Sequence, residues 1–310
     1  MVSSYLIIFK DTLIWDIVTY PLEYASFLVQ IGYRPENDIV SSNLFRRSFG
    51  VSSVTSTVGH IYKTDGLIGC YNGMRPYICS QFISKAIIQL YSDKFPPHGR
   101  WRKIDTISPS SVYEDDSSTR QTAVEWRPVC LQGAIDLLSQ LTAITISHPL
   151  TIVTYRMMAQ FVGREQKYTG VCSSLCTIYE EQGICGFFVG LAPQLMRQII
   201  SFVSLSAVLF ILEKYTRSKP ALCDFSSNLA DVAIRNLTYP LHIVSVFTAA
   251  NDFDLRAVSP PLMPDFNGDW TECWNYMSKT GQLKRAWFPF RRYSHTMPAK
   301  SIKISIDELD

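Results

Sequence analysis

The chain alternates long apolar runs with polar connections. Five runs stand out: Tyr5 to Tyr33, Met74 to Tyr91, Val129 to Val162, Gly190 to Tyr215, and Asn228 to Asn251. All are too long for strands, so each predicts a helix. The third is the longest, 34 residues from Val129 to Val162. As a helix it measures about 51 Å, more than the roughly 30 Å of a bilayer core. A tilted, kinked span absorbs such an excess. The stretch "PPHGRWRKIDTISPSSVYEDDSSTRQ" between the second and third runs is polar and proline-rich, and reads as a loop.

Polar residues inside the runs recur at helical spacing, which puts them on one face. The first run carries Asp16 and Glu23, with Tyr20 between them on the same side. The second carries Gln81, Lys85 and Gln89; the third Gln132, Asp136 and Gln140, then His148 and Arg156. The fourth carries Gln194, Arg197, Gln198 and Ser201; the fifth Asn228, Asp231, Arg235 and Asn236, then His242. Charges inside apolar helices are costly and by default mark a polar pathway. Five stripes turned to a common centre predict a hydrophilic groove. Its expected lining is Asp16, Glu23, Gln81, Lys85, Gln132, Asp136, Gln140, Arg156, Gln194, Arg197, Gln198, Asp231, Arg235 and Asn236. Each residue also has a blander reading. An intramembrane glutamine joins helices, Asp231 and Arg235 neutralise one another, and Lys85 and Arg156 snorkel to an interface.

Three of the runs contain a proline at their middle: "IVTYPLEY", "TISHPLTI" and "NLTYPLHI", at Pro21, Pro149 and Pro240. Proline removes a helix hydrogen bond and kinks the rod. Its threefold recurrence points to a repeat. A second signature agrees. "IYKTDGLIGCYNGMRPYICSQFIS" from Ile61 and "IYEEQGICGFFVGLAPQLMRQIIS" from Ile178 match at 9 of 24 positions. The matches include Gly66, Gly69 and Gly73 against Gly183, Gly186 and Gly190. "YMSKTGQLKRAWF", with Gly281, is a weak third copy. The unit is a kinked helix, a connection, a glycine-spaced turn and a second helix. This divides the chain into repeat 1 at 1–92, a polar loop at 93–127, repeat 2 at 128–217, and an incomplete repeat 3 with a polar tail at 218–310.

Composition removes several classes. The 310 residues carry a net charge of +2 and show no basic stripe, so nucleic acid is not an expected partner. Mean hydropathy is only +0.06, low for a multi-pass membrane protein, which keeps a soluble helical protein as a competing reading. A helical solenoid would use much shorter units. The N-terminus lacks a basic region, and Lys10, Asp11 and Asp16 interrupt its apolar run, unlike a cleavable signal. None of the eight cysteines forms C-x-x-C; they read as reduced, small apolar residues. No phosphate-binding loop, G-x-S-x-G or metal-ligand histidine spacing is present, so no metal, cofactor or enzymatic activity is expected.

At the proline and glycine signatures the chain resembles the mitochondrial carrier family. That family has three repeats, six tilted transmembrane helices, P-x-[DE]-x-x-[KR] on each odd helix, and G-x-x-G-[FY]-x-x-G entering each even one. "GICGFFVG" and "GLIGCYNG" look like the glycine stretch. The proline motif departs from the pattern. Its acidic positions hold Glu23, Thr151 and His242, and its basic positions Ser26, Thr154 and Ser245, so one charge of six remains. The charge network that gates a carrier has no counterpart. After Trp287 come Pro289, Pro298, Arg291, Arg292, Lys300 and Lys303, with no room for a sixth apolar span.

This combination resembles the carrier homolog proteins, outer-membrane relatives of carriers. The resemblance implies an all-α bundle of about five kinked spans, with a gap in place of the sixth. It implies insertion of α-helical, tail-anchored clients into the mitochondrial outer membrane, contact with membrane lipids, lipid scrambling, and docking of BH3-type apoptotic proteins. Two other readings stay open. One is a scaffold that docks partners through the loops at 34–60, 95–127 and 252–272. The other is an inner-membrane solute carrier.

Overall fold

A computed structural model describes residues 2–33, 53–96, 126–216, 220–251, 255, 266 and 268–284. Most of the expected loop at 93–127 and the tail from 285 onward lie outside the described residues. Within them the chain is helical, without strands. The order is α1 (Val2–Ile31), α2 (Ser53–Gly69), α3 (Met74–Lys94), α4 (Trp126–Gly163), α5 (Val171–Gln182), a 3-10 turn (Ile184–Phe188), α6 (Leu191–Thr216), α7 (Pro220–Leu237), α8 (Tyr239–Ala250) and α9 (Trp270–Lys279).

The five apolar runs coincide with α1, α3, α4, α6 and the α7–α8 pair. Pro21 and Pro149 lie inside continuous helices. The fifth run departs from the expected single kinked helix. It breaks at Thr238, and Pro240 occupies the first turn of α8. A proline there needs no amide partner, and its ring would clash with the carbonyl one turn back were the helix continuous. Among the described residues, two helical stretches are long and apolar enough by themselves to cross a membrane, Leu131–Gly163 and Ile184–Leu209.

Three shorter helices fall where the sequence indicated only connections. The expected docking loop at 34–60 turns helical from Ser53, and that at 252–272 from Trp270. The start of α9 carries its own signal: Asp269 caps it, its Oδ1 accepting from the Thr271 amide at 2.9 Å, with Glu272 three residues on.

The core is asymmetric about the prolines. Beyond them the proline-bearing helices α1, α4 and α8 are packed solid. Every residue from Ile243 to Ala250 is buried. So are Tyr24, Ala25, Phe27 and Leu28 on α1, and Ile152, Val153 and residues 156–160 on α4. Before the prolines the same helices are largely half-buried or exposed, as at Ile14, Trp15 and Val18. Helices α3 and α6, which follow the glycine turns, are open throughout. Only Pro76 and Ser80 are buried in α3, and 11% of the apolar stretch through α6 is buried.

Among the six cysteines with described side chains, Cys70 and Cys273 are buried, and Cys79, Cys172, Cys176 and Cys185 are exposed. Burial pushes the Cys273 thiol up to about 12; burial and the Asp65 carboxylate raise that of Cys70. Maleimide near neutral pH should therefore label Cys172, Cys176 and Cys185 in the folded protein, and Cys70 and Cys273 only after denaturation, as read by peptide mass spectrometry. Labelling of Cys273 at the rate of Cys176 would contradict the packing of α9 on α8.

Candidate functional site: a polar groove among the helices

The groove is assembled by the packing order. Helix α3 runs along α4 and touches α1, while α6 joins α4 to both α7 and α8. Among the described residues no long helix returns from α7–α8 to α1.

Two glycine turns set this order. Gly66, Gly183 and Gly281 share a positive φ of 71°, 65° and 68°, a geometry that favours glycine. Seven residues after the first two come Gly73 and Gly190, where the starts of α3 and α6 touch the next repeat. A Cβ on Gly73 would meet the Tyr20 hydroxyl at 3.0 Å and the Thr154 carbonyl oxygen at 3.3 Å. A Cβ on Gly190 would meet the Ser245 carbonyl oxygen at 2.7 Å and the Ala249 amide at 3.1 Å. Seven residues after Gly281 the sequence has Phe288. The approach seen at Gly73 and Gly190 does not admit that side chain.

The polar residues fall into linked groups. Lys85 of α3 meets Asp16 of α1 at 3.0 Å, with side chains 35% and 20% exposed. Gln81 and Glu23 hydrogen-bond the Tyr77 hydroxyl. Between α3 and α4 lies a pocket lined by Tyr91, Ser92, Gln132, Asp136, Ser139 and Gln140, with apolar flanks. Gln132 donates to Asp136 Oδ1 at 3.0 Å, and Gln198 of α6 reaches across to Gln140. Gln194, one turn before Gln198 on α6, and Arg197, next to Gln198 in sequence, lie half-buried, and the buried Nε of Arg197 has no hydrogen-bond partner among the described residues. Ser201 and Thr238 close the α6–α8 side at 3.2 Å.

Several expected lining residues are placed elsewhere. Arg156 is wholly buried. It donates to Gln182 Oε1 at 2.7 Å and to the Tyr168 hydroxyl at 3.5 Å, so it clamps α4 to α5 and lines no groove. The cause is its position in the packed half beyond Pro149. Asp231 and Arg235 pair with each other at 2.8 Å, and Arg235 is 72% exposed. Asn236 is exposed beside them. Sequence reasoning missed Tyr77, Tyr91 and Ser139 by counting charges and amides before hydroxyls. Tyr77 continues the spacing of Gln81, Lys85 and Gln89 and was legible in it. Among the described residues no three His, Cys, Asp or Glu side chains converge to hold a metal.

A threefold kinked-helix unit with glycine turns and a central polar face is the build of a mitochondrial carrier. Residues 126–219 match the family model described as "Mitochondrial carrier protein". Human "Mitochondrial carrier homolog 2" is 29% identical over 279 residues, covering 87% of this chain and 88% of that protein. Mouse "Mitochondrial carrier homolog 1" is 29% identical over 301 residues, covering 89% and 74%. "Mitochondrial thiamine pyrophosphate carrier 1" of Neurospora crassa is 28% identical over 193 residues, covering 61% and 53%. The chain resembles the mitochondrial carrier family, and over most of its length the carrier-homolog proteins of that family. The resemblance supports a place in mitochondrial membranes.

Proposed function

We propose that this protein inserts α-helical, tail-anchored proteins into the mitochondrial outer membrane. In this reading α1, α3, α4, α6 and the α7–α8 pair cross the bilayer, and no cofactor or covalent chemistry takes part. The observation that carries it is the polar face of α3, α4 and α6 in a bundle that has, among the described residues, no long helix between α7–α8 and α1. A client's polar flank crossing hydrocarbon meets about 2.5–3.5 kcal/mol for each Lys, Arg or Asp at the centre. A groove of amides, hydroxyls and the Asp16–Lys85 pair offers that flank hydrogen bonds along the way. The client's apolar helix leaves sideways through the gap. The same opening gives lipid headgroups a polar path, so scrambling is a secondary activity of the same surface.

The test is purified protein in liposomes, given a radiolabelled tail-anchored client in chaperone-bound form, with insertion read by protease protection. Asp136→Lys and Arg197→Glu should change the protected fraction several-fold at equal protein amounts. Insertion no higher than in empty liposomes, or indifferent to both reversals, would leave a membrane-held docking platform in its place.

A further inference from the structure

The groove ends abruptly at the level of the prolines, where aromatic rings fill the bundle. Tyr20 and Tyr24 are fully buried and Phe27 is 4% exposed. The Tyr20 ring packs on Tyr77 of α3 at 5.2 Å, Phe27 stacks on Tyr155 of α4 at 5.2 Å and 3°, and Tyr24 meets Phe161 edge-on at 6.2 Å. Both buried phenols donate to main-chain carbonyls, Tyr20 to Asn72 at 2.6 Å and Tyr24 to Met158 at 3.5 Å, so neither hydroxyl calls for water. Behind the rings Ile152, Val153, Ile243 and Val244 are fully buried and Phe247 is 1% exposed. Of the six acid and base positions in the three proline motifs, five hold uncharged or histidine side chains. The sixth, Glu23, is exposed and faces Tyr77, on the groove side of this layer.

We propose that the halves of α1, α4 and α8 beyond the prolines form a fixed permeability barrier, an aromatic floor that makes the groove a blind vestibule. It opens to one aqueous side and to lipid, and never to the other aqueous side. A close-packed apolar layer without voids excludes water and so blocks ions. With no charge pairs at its proline motifs to exchange, it has no second arrangement to switch to. The floor lets a membrane protein hold a wet groove without leaking. This inference rests on the spanning arrangement proposed above and not on insertion, so an inactive insertase with a tight floor would sink that activity and leave the barrier standing.

Two measurements on the full-length protein in liposomes decide it. In the first, a membrane-impermeant thiol reagent is present on both sides, and modification is mapped by peptide mass spectrometry. Gln81→Cys should react and Val244→Cys should not; comparable rates at the two sites would overturn the barrier. In the second, potassium efflux is followed from loaded liposomes. The wild-type protein should be as tight as lipid alone, and Tyr24→Phe, which keeps the ring, should stay tight. Tyr24→Ala with Phe247→Ala should raise permeability by at least about tenfold, a barrier loss of only about 1.4 kcal/mol. A leaking wild type, a leaking Tyr24→Phe, or a tight double variant would overturn the proposal.

Discussion

Gly190→Ala should destabilise the protein by about 2–6 kcal/mol, and Gly183→Ala, seven residues earlier, by only about 1–3 kcal/mol. Both glycines hold a positive φ, 79° and 65°, and Gly183, with ψ −159°, lies where almost only glycine is found, so both substitutions carry a backbone penalty of about 1–3 kcal/mol. They differ in what the new methyl group touches. At Gly183 nothing lies within 4 Å. At Gly190 the Cβ would stand 2.7 Å from the Ser245 carbonyl oxygen, and main chain cannot swing aside as a side-chain tip does. Helix α6 would have to lift from α8, which stretches the bond from Ser245 Oγ to the Gly190 carbonyl, now 2.8 Å. Overpacking of this kind adds about 1–3 kcal/mol. Thermal unfolding in detergent, followed by tryptophan fluorescence, reads the difference. Equal losses of Tm in the two variants would show that α6 does not depend on a close approach to α8.

Arg156→Met should cost about 3 kcal/mol, although it replaces a charge in an apolar helix with an apolar side chain of similar length. The guanidinium is the largest fully buried side chain. Its bonds to Gln182 and Tyr168 hold α5 and the loop before it against α4. Beside it Gln160 clamps the Tyr168 main chain with two bonds of 3.0 Å. Removing the cation leaves the Gln182 oxygen without that donor in a closed site. Arg156→Lys should recover little, since a single ammonium group cannot reproduce a planar fork. The checks are unfolding of the purified variants and limited proteolysis within residues 164–170, which should become faster. An Arg156→Met protein within about 0.5 kcal/mol of wild type, the range of ordinary surface changes, would remove the clamp from the account.

These two positions also mark how far the sequence reaches. Gly190 could be read directly, because a glycine turn repeated at Gly73 and Gly190 reports a local demand: the backbone must pass close to something. Its partner could not be read, since Ser245 and Ala249 lie more than fifty residues further along the chain. Arg156 shows the opposite. By spacing it belongs to the stripe of Gln132, Asp136 and Gln140, and periodicity assigns all four to one face. Only the packing separates them, because Pro149 stands between, and the half of α4 beyond it is enclosed by α1, α5 and α8. The outward-lying Arg235 fails the groove assignment for a related reason. A local pair with Asp231 satisfies it without any tertiary partner.

By itself the sequence determined the helical class, the course of four of the five long helical runs to within a few residues, the repeated proline and glycine signatures, and the family resemblance. All of these depend on order along the chain: apolar period, prolines that stop or bend helices, and glycines that permit turns. The tertiary structure decided which polar positions meet, that the surface helices α2, α5 and α9 exist, and that one end of the bundle is filled by tyrosine and phenylalanine. Those outcomes depend on contacts between residues far apart in the chain. Such contacts arise from volume and packing direction, which a one-dimensional pattern of polar and apolar positions does not contain.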